Sequence, residues 1–217
     1  RAPLCGGCGA KVGGDALAEA LAALPAPQRA DVLTGRGDDA AVLDLGAAGV
    51  QVITTDHLRA FTPDPFVMAR IAALHALGDV WAMGARPQAA LAQVILPRLS
   101  PRLQARPLAE ITAAAAAVLG AAGADLVGGH TSVGAELSIG FTITGLAARP
   151  VAKGPPRPGD ALILTRPLGS GVVLAAEMAR RRLPGRGLML GEAVAGALEL
   201  MQRPGGAAAA LLALEAH

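Results

Sequence analysis

The stretch DPFVMARIAALHALGDVWAMG, Asp64–Gly84, decides the fold. It opens on Asp-Pro, which suits the cap and first turn of a helix, and closes on a glycine, which suits its end. Between these signals the run is almost wholly apolar, and the sequence predicts one continuous helix. Asp79 stands inside it among Leu77, Val80 and Trp81, four residues after His75 and therefore on the same face. A carboxylate in such surroundings is expensive to bury without a partner.

Working outward, AAVLDLGAAGVQVITTD (Ala40–Asp56) reads as two strands, Ala41–Leu45 and Val50–Thr55, joined by a Gly/Ala turn. A short helix from Asp15 precedes them, with Pro25 just beyond its end. After the central helix, AALAQVIL is a buried strand and an Ala-rich helix runs from about Leu108 to Gly120. ADLVGG and ELSIGFTITGLAA are further strands, the second with Leu137, Ile139, Phe141 and Ile143 on one face. RPVAKGPPRPGD reads as a linker, with a domain boundary near Lys153. Beyond it ALILT reads as a strand, GSGVVLAAEMARRR as a helix, and two more helical stretches follow. Helices alternating with strands leave α/β and α+β both open.

Composition narrows the function. The 217 residues carry 19 Lys+Arg against 17 Asp+Glu, a net charge of +2, and only 2% aromatics with no tyrosine. Nearly balanced charge and so little to stack on bases argue against nucleic-acid binding. The longest uncharged run, ITAAAAAVLGAAGA from Ile111, has the length of a core helix rather than a membrane span. Two cysteines and no signal segment point to a reducing cytoplasm. The first residue is Arg1 and the last pattern, AAAALLALEAH, is apolar and helical, so the chain is expected to be a piece of a longer polypeptide.

Four carboxylates stand out. Asp38 and Asp39 lie at the mouth of one strand, Asp56 at the end of the next, and Asp79 on the helix. Together they suit Mg²⁺, which prefers hard oxygen ligands and is commonly bridged to phosphate by a few carboxylates. Singly, Asp38 and Asp39 also suit a turn and Asp56 a loop cap. CGGCGAKVGG (Cys5–Gly14) fits neither a Walker A loop nor a zinc site, for which it supplies two of four ligands. It leaves open a redox dithiol, an inert cysteine pair, or a reactive Cys8 whose thiolate Lys11 favours. Gly6, Gly7 and Gly9 let backbone N–H groups approach an anion. In LVGGHTSVGAE, Gly128 and Gly129 before His130 suit close approach to a ligand or a tight turn, and Glu136 faces that ligand or solvent. RPLGSG places Gly169 and Gly171 at a helix N-terminus, another anion site. His57, Arg59 and His75 lie near the carboxylates without an assigned step.

Taken in order, GCGAK, GDDAAV, TTD, RIAALHALGDVWAMGARP, GGHTS…E…TITG and RPGDALILTRPLGSGV resemble selenophosphate synthetase (selenide, water dikinase), from Cys5 to about Ala176. That family belongs to the aminoimidazole ribonucleotide synthetase-like superfamily. The resemblance implies an α+β fold: an N-terminal domain whose strands pair across a homodimer, and a C-terminal α/β domain, here truncated. Residues 1–14 would be the catalytic loop, 15–152 the ATP- and metal-binding domain, and 153–217 the start of the second domain.

By the same resemblance, ATP and Mg²⁺ serve the phosphorylation of selenide to selenophosphate, with AMP and phosphate released. Cys8 handles selenium and Lys11 stabilises charge on the transferred phosphate. Asp39, Asp56 and Asp79 hold metal with Asp38 auxiliary, and Gly128, Gly129, His130, Thr131 and Glu136 lie along the nucleotide. Selenide or a selenium-delivery protein is the expected partner, and CGGCGAKVG resembles members fused behind a flavoprotein domain. Ala10, His75, Gly78 and Val133 depart from residues common in the family, and its later metal-aspartate segment is expected beyond His217. Another superfamily kinase, such as thiamine-monophosphate kinase, and a non-catalytic nucleotide-binding module are the alternatives.

Overall fold

A computed structural model describes residues 14–22, 24–25, 27–34, 38–154, 157–181 and 190–215. Cys5, Cys8 and Lys11 lie outside the described residues. The fold is α+β: among the described residues, one mixed six-stranded sheet and six α-helices. After the exposed α1 (Gly14–Ala22) come β1 (Val32–Thr34), β2 (Ala41–Asp44) and β3 (Val50–Arg59). Next are α2 (Pro65–Ala82), β4 (Arg86–Pro97), α3 (Pro101–Ala121), β5 (Asp125–Gly134) and β6 (Ser138–Ala147). Three helices close the described chain: α4 (Ser170–Met178), α5 (Leu190–Met201) and α6 (Gly206–Glu215).

The sheet order is β1-β2-β3-β6-β4-β5. All pairs are antiparallel except β4–β5, which the crossover helix α3 connects; parallel neighbours need such a crossover. Helices α2 and α3 cover one face. Alternation follows: Ala90, Ala92, Val94 and Leu96 of β4 are buried beneath the helices, while Leu91 and Ile95 are 46% and 39% exposed on the open face. Ile139, Phe141 and Ile143 are fully buried at the centre of the core, with Leu137 packed at its margin.

Helix α2 is built as its sequence predicts. Asp64 caps it, accepting from the amides of Phe66 (2.9 Å) and Val67 (3.1 Å), and Pro65 takes the first turn. Gly84, at φ +66°, ends it, its amide N–H donating to the Trp81 carbonyl O at 3.0 Å, a conformation that a β-carbon disfavours. Its buried residues, from Met68 to Val80, wrap most of its girth. The sheet lies on one side, α3 beside it, and α6 presses Gly206 against Trp81 on the other.

Four local expectations change. Strand β3 continues to Arg59, so Asp56 lies within the strand rather than at its end. Strand β5 runs through GGHTS to Gly134, because backbone pairing with β4 continues to Pro97. Helix α3 begins at Pro101, seven residues early: Pro101 suits its first turn, and Pro107 is accommodated one turn further on. ALILT (161–165) is not a strand: Leu162, Ile163 and Leu164 are 92%, 64% and 72% exposed. An apolar run becomes a strand only where a neighbour takes its N–H and C=O groups, and no described strand lies beside it. No helix among the described residues is long and apolar enough to cross a membrane.

Two glycines, Gly145 of β6 beneath α2 and Gly78 on α2 itself, should respond in opposite directions. A β-carbon on Gly145 of β6 would stand 2.5 Å from Val80 Cγ1 and 3.0 Å from the Arg86 carbonyl O, whereas one on Gly78 meets nothing within 4 Å. Chemical denaturation should find Gly145→Ala destabilised by about 1–3 kcal/mol. Gly78→Ala should gain about 0.5–1 kcal/mol.

Candidate functional site

The period of two along β3 sets Val52, Thr54 and Asp56 on the helix-covered face, and the period of the helix sets His75 and Asp79 above them. The Thr54 hydroxyl lies 2.8 Å from Asp79 Oδ2 and 3.3 Å from the Asp39 carbonyl O, tying α2, β3 and the approach to β2 into one junction. Asp56 Oδ1 accepts from the His57 amide at 2.7 Å, and Asp56 Oδ2 is 2.9 Å from His75 Nε2. Asp38 Oδ1 accepts from the Asp39 amide at 2.8 Å. The segment after β6 closes the group: the Lys153 amide donates to Asp38 Oδ2 at 3.0 Å, and its ammonium is 3.1 Å from Asp39 Oδ1.

Asp79 is half-buried, and burial is the main cause that pushes its carboxyl above the usual range. The bond from Thr54 and the His75 imidazole pull it down, while the charges of Asp56 and Asp39 add to the rise. Asp39 and Asp56 are thus close enough for their fields to reach Asp79. Such hard, like-charged donors around a half-buried carboxylate suit a divalent cation. Among the described residues, however, no three His, Cys, Asp or Glu side chains converge closely enough to enclose one. Each carboxylate is held by an internal partner instead: Asp39 by Lys153, Asp56 by His75 and Asp79 by Thr54.

The remaining candidates stand elsewhere. Gly128, Gly129, His130 and Thr131 are exposed on the edge strand β5. Register aligns Asp56 with Phe141, Ala92 and Gly129 in turn, so Gly129 is three strands, about 14 Å, from Asp56. Glycine is required there, since a β-carbon on Gly129 would fall 2.0 Å from the Ala92 carbonyl O. Glu136, between β5 and β6, pairs with Arg59 at the far end of β3.

Sequence reasoning missed Thr54 and Lys153. Thr54 was available in the TTD motif as the inward partner of Asp56 by alternation. Lys153 is one of only two lysines in a chain that otherwise uses arginine, a signal that a compact ammonium is wanted there.

Residues 37–147 match the family described as AIR synthase related protein, N-terminal domain, and the chain belongs to that family. Within it, the chain is similar to selenide, water dikinases. It is 43% identical to that of Desulfitobacterium hafniense over 175 residues, 79% of this chain and 51% of the relative. It is 41% identical to that of Geobacter metallireducens over 184 residues, 82% and 53% of the two chains. The chain therefore spans about half the length of the curated relatives it matches. The solved thiamine-monophosphate kinase of Stenotrophomonas maltophilia is 25% identical with a TM-score of 0.56, covering 84% of this chain and 59% of its own. These likenesses bear out the resemblance read from the motifs and the α+β class.

The raised Asp79 carboxyl gives a stability test. The folded chain holds this proton more tightly than the unfolded one, so its favourable contribution is complete below the ordinary carboxylate pKa. It is lost as pH rises through the raised folded value. Without divalent cations, Asp79→Asn should raise Tm at pH 7–8 and leave it nearly unchanged near pH 3. Thermal melts across that range check it; equal Tm differences at both ends would contradict it.

Proposed function

We propose that the whole protein of which this chain is part uses ATP to phosphorylate selenide to selenophosphate, releasing AMP and phosphate. The observation that carries this reading is the half-buried Asp79, held by the Thr54 hydroxyl and within the fields of Asp39 and Asp56, in a chain that is 43% identical to a selenide, water dikinase. Asp39, Asp56 and Asp79, with Asp38 as auxiliary, would hold Mg²⁺. Bound there, Mg²⁺ would neutralise phosphate charge, the main electrostatic demand of phosphoryl transfer.

The chain's own residues supply the rest. Thr54 fixes the orientation of the Asp79 carboxylate, and His75 that of Asp56. Lys11 would place a point charge near the transferred phosphate, and Cys8 would handle the selenium nucleophile. One phosphoryl group passes to selenide and one to water, leaving AMP. Gly128, Gly129, His130, Thr131 and Glu136 would lie along the nucleotide, with residues 1–14 as catalytic loop and the second domain beginning near residue 153.

The open sheet face, with Leu91 and Ile95 exposed on it, supports a homodimer that covers this face, and the edge strand β5 offers backbone groups for strands to pair across the two copies. A selenium-delivery protein, a cytoplasmic location and a flavoprotein domain fused ahead of Arg1 complete the proposal. The thiamine-monophosphate kinase reading rests on the lower, 25% likeness, and GCGAK favours selenide over it.

In the full-length protein, AMP formation from ATP and Mg²⁺ should require selenide and be lost in Cys8→Ser. Asp79→Asn should lower kcat by roughly 10²-fold or more. ADP formation with another acceptor and no response to selenide would sink the proposal.

A further inference from the structure

The segment that leaves β6 does not simply depart from the domain. The Val151 amide donates to the Met83 carbonyl at 3.0 Å, and Val151 Cγ2 fills the space beside Gly84 at the end of α2. Two residues on, Lys153 places its amide on Asp38 and its ammonium on Asp39. Asp39, Asp38 and Asp79 all add to the field that keeps this lysine protonated. The contact is open to solvent, with side-chain exposures of 64% for Lys153 and 37% for Asp39. A tethered monovalent charge therefore sits on a carboxylate that a divalent cation would claim, and the same residue clips the linker to the domain.

We propose that Lys153 is a built-in counter-cation which, in the absence of metal, occupies Asp39 and holds residues 151–154 against the carboxylate group. Divalent-cation binding at Asp39 and loosening of the linker are then coupled. The inference rests on the reading of Asp39 as a cation ligand given under Proposed function. A divalent ion carries twice the charge of the ammonium and competes with it for Asp39. Whatever the Lys153 contact contributes when closed is subtracted from cation affinity, and by reciprocity the cation weakens the clip. An exposed pair of this kind sets the effect at about 1.5- to 5-fold. Lys153 acts through Asp39 and the linker, and is a positioning residue rather than a catalytic one.

The test uses the full-length protein, with Mg²⁺ affinity from titration calorimetry and hydrogen exchange in peptides covering residues 147–154. Wild-type protein should protect this segment without Mg²⁺ and exchange it faster when Mg²⁺ is saturating. Lys153→Met should bind Mg²⁺ about 1.5- to 5-fold more tightly and exchange fast whether or not Mg²⁺ is present. Lys153→Arg, which keeps the charge but not the compact ammonium, should lie closer to wild type than Lys153→Met in both readouts. If Asp39→Asn lowers Mg²⁺ affinity but wild-type exchange ignores Mg²⁺, or Lys153→Met binds no tighter, the clip is overturned while the cation site stands. If Asp39→Asn binds Mg²⁺ as wild type does, the cation reading fails and takes the clip with it.

Discussion

The hydrogen bond between Thr54 and Asp79 is the constraint around which the described structure is arranged. It places a carboxylate on an otherwise apolar helix above the sheet, where lost hydration works against ionisation. A single hydroxyl answers only part of that cost, and the fields of Asp39 and Asp56 increase it. The arrangement is locally unfavourable, and it persists because the rest of α2 is so well buried. Met68, Leu77 and Val80 are fully buried, and Gly145 gives Val80 room to lie directly on β6. Packing stabilises the helix, and the helix holds a strained charge in place.

Topology then divides the candidate residues. Because β6 and β4 separate β3 from β5, the aspartates gather on one side of the sheet and the Gly128–Thr131 segment occupies the opposite edge. The segment after β6 crosses back to the aspartates, so the approach to them is bounded by β2, β3, α2 and the linker. Residues 37–147, which match the AIR synthase related family, carry this frame. In this chain the frame already contains internal partners for each carboxylate. The carboxylates are drawn together enough to feel one another without enclosing an ion.

What the sequence determined by itself was local or periodic. Asp64-Pro65 and Gly84 marked both ends of α2, because capping and positive-φ preferences act within a turn. Alternation in β6 put Ile139, Phe141 and Ile143 in the core, and the motif order pointed to the carboxylates and the family. Only the tertiary structure decided what depends on partners distant in the chain. ALILT has no described strand beside it and stays exposed to solvent, while GGHTS gains β4 and becomes one. Asp56 meets His75, Thr54 meets Asp79, and Lys153 meets Asp39 across 114 residues. Backbone and charged groups take whichever partner the fold brings near, and no local pattern names that partner in advance.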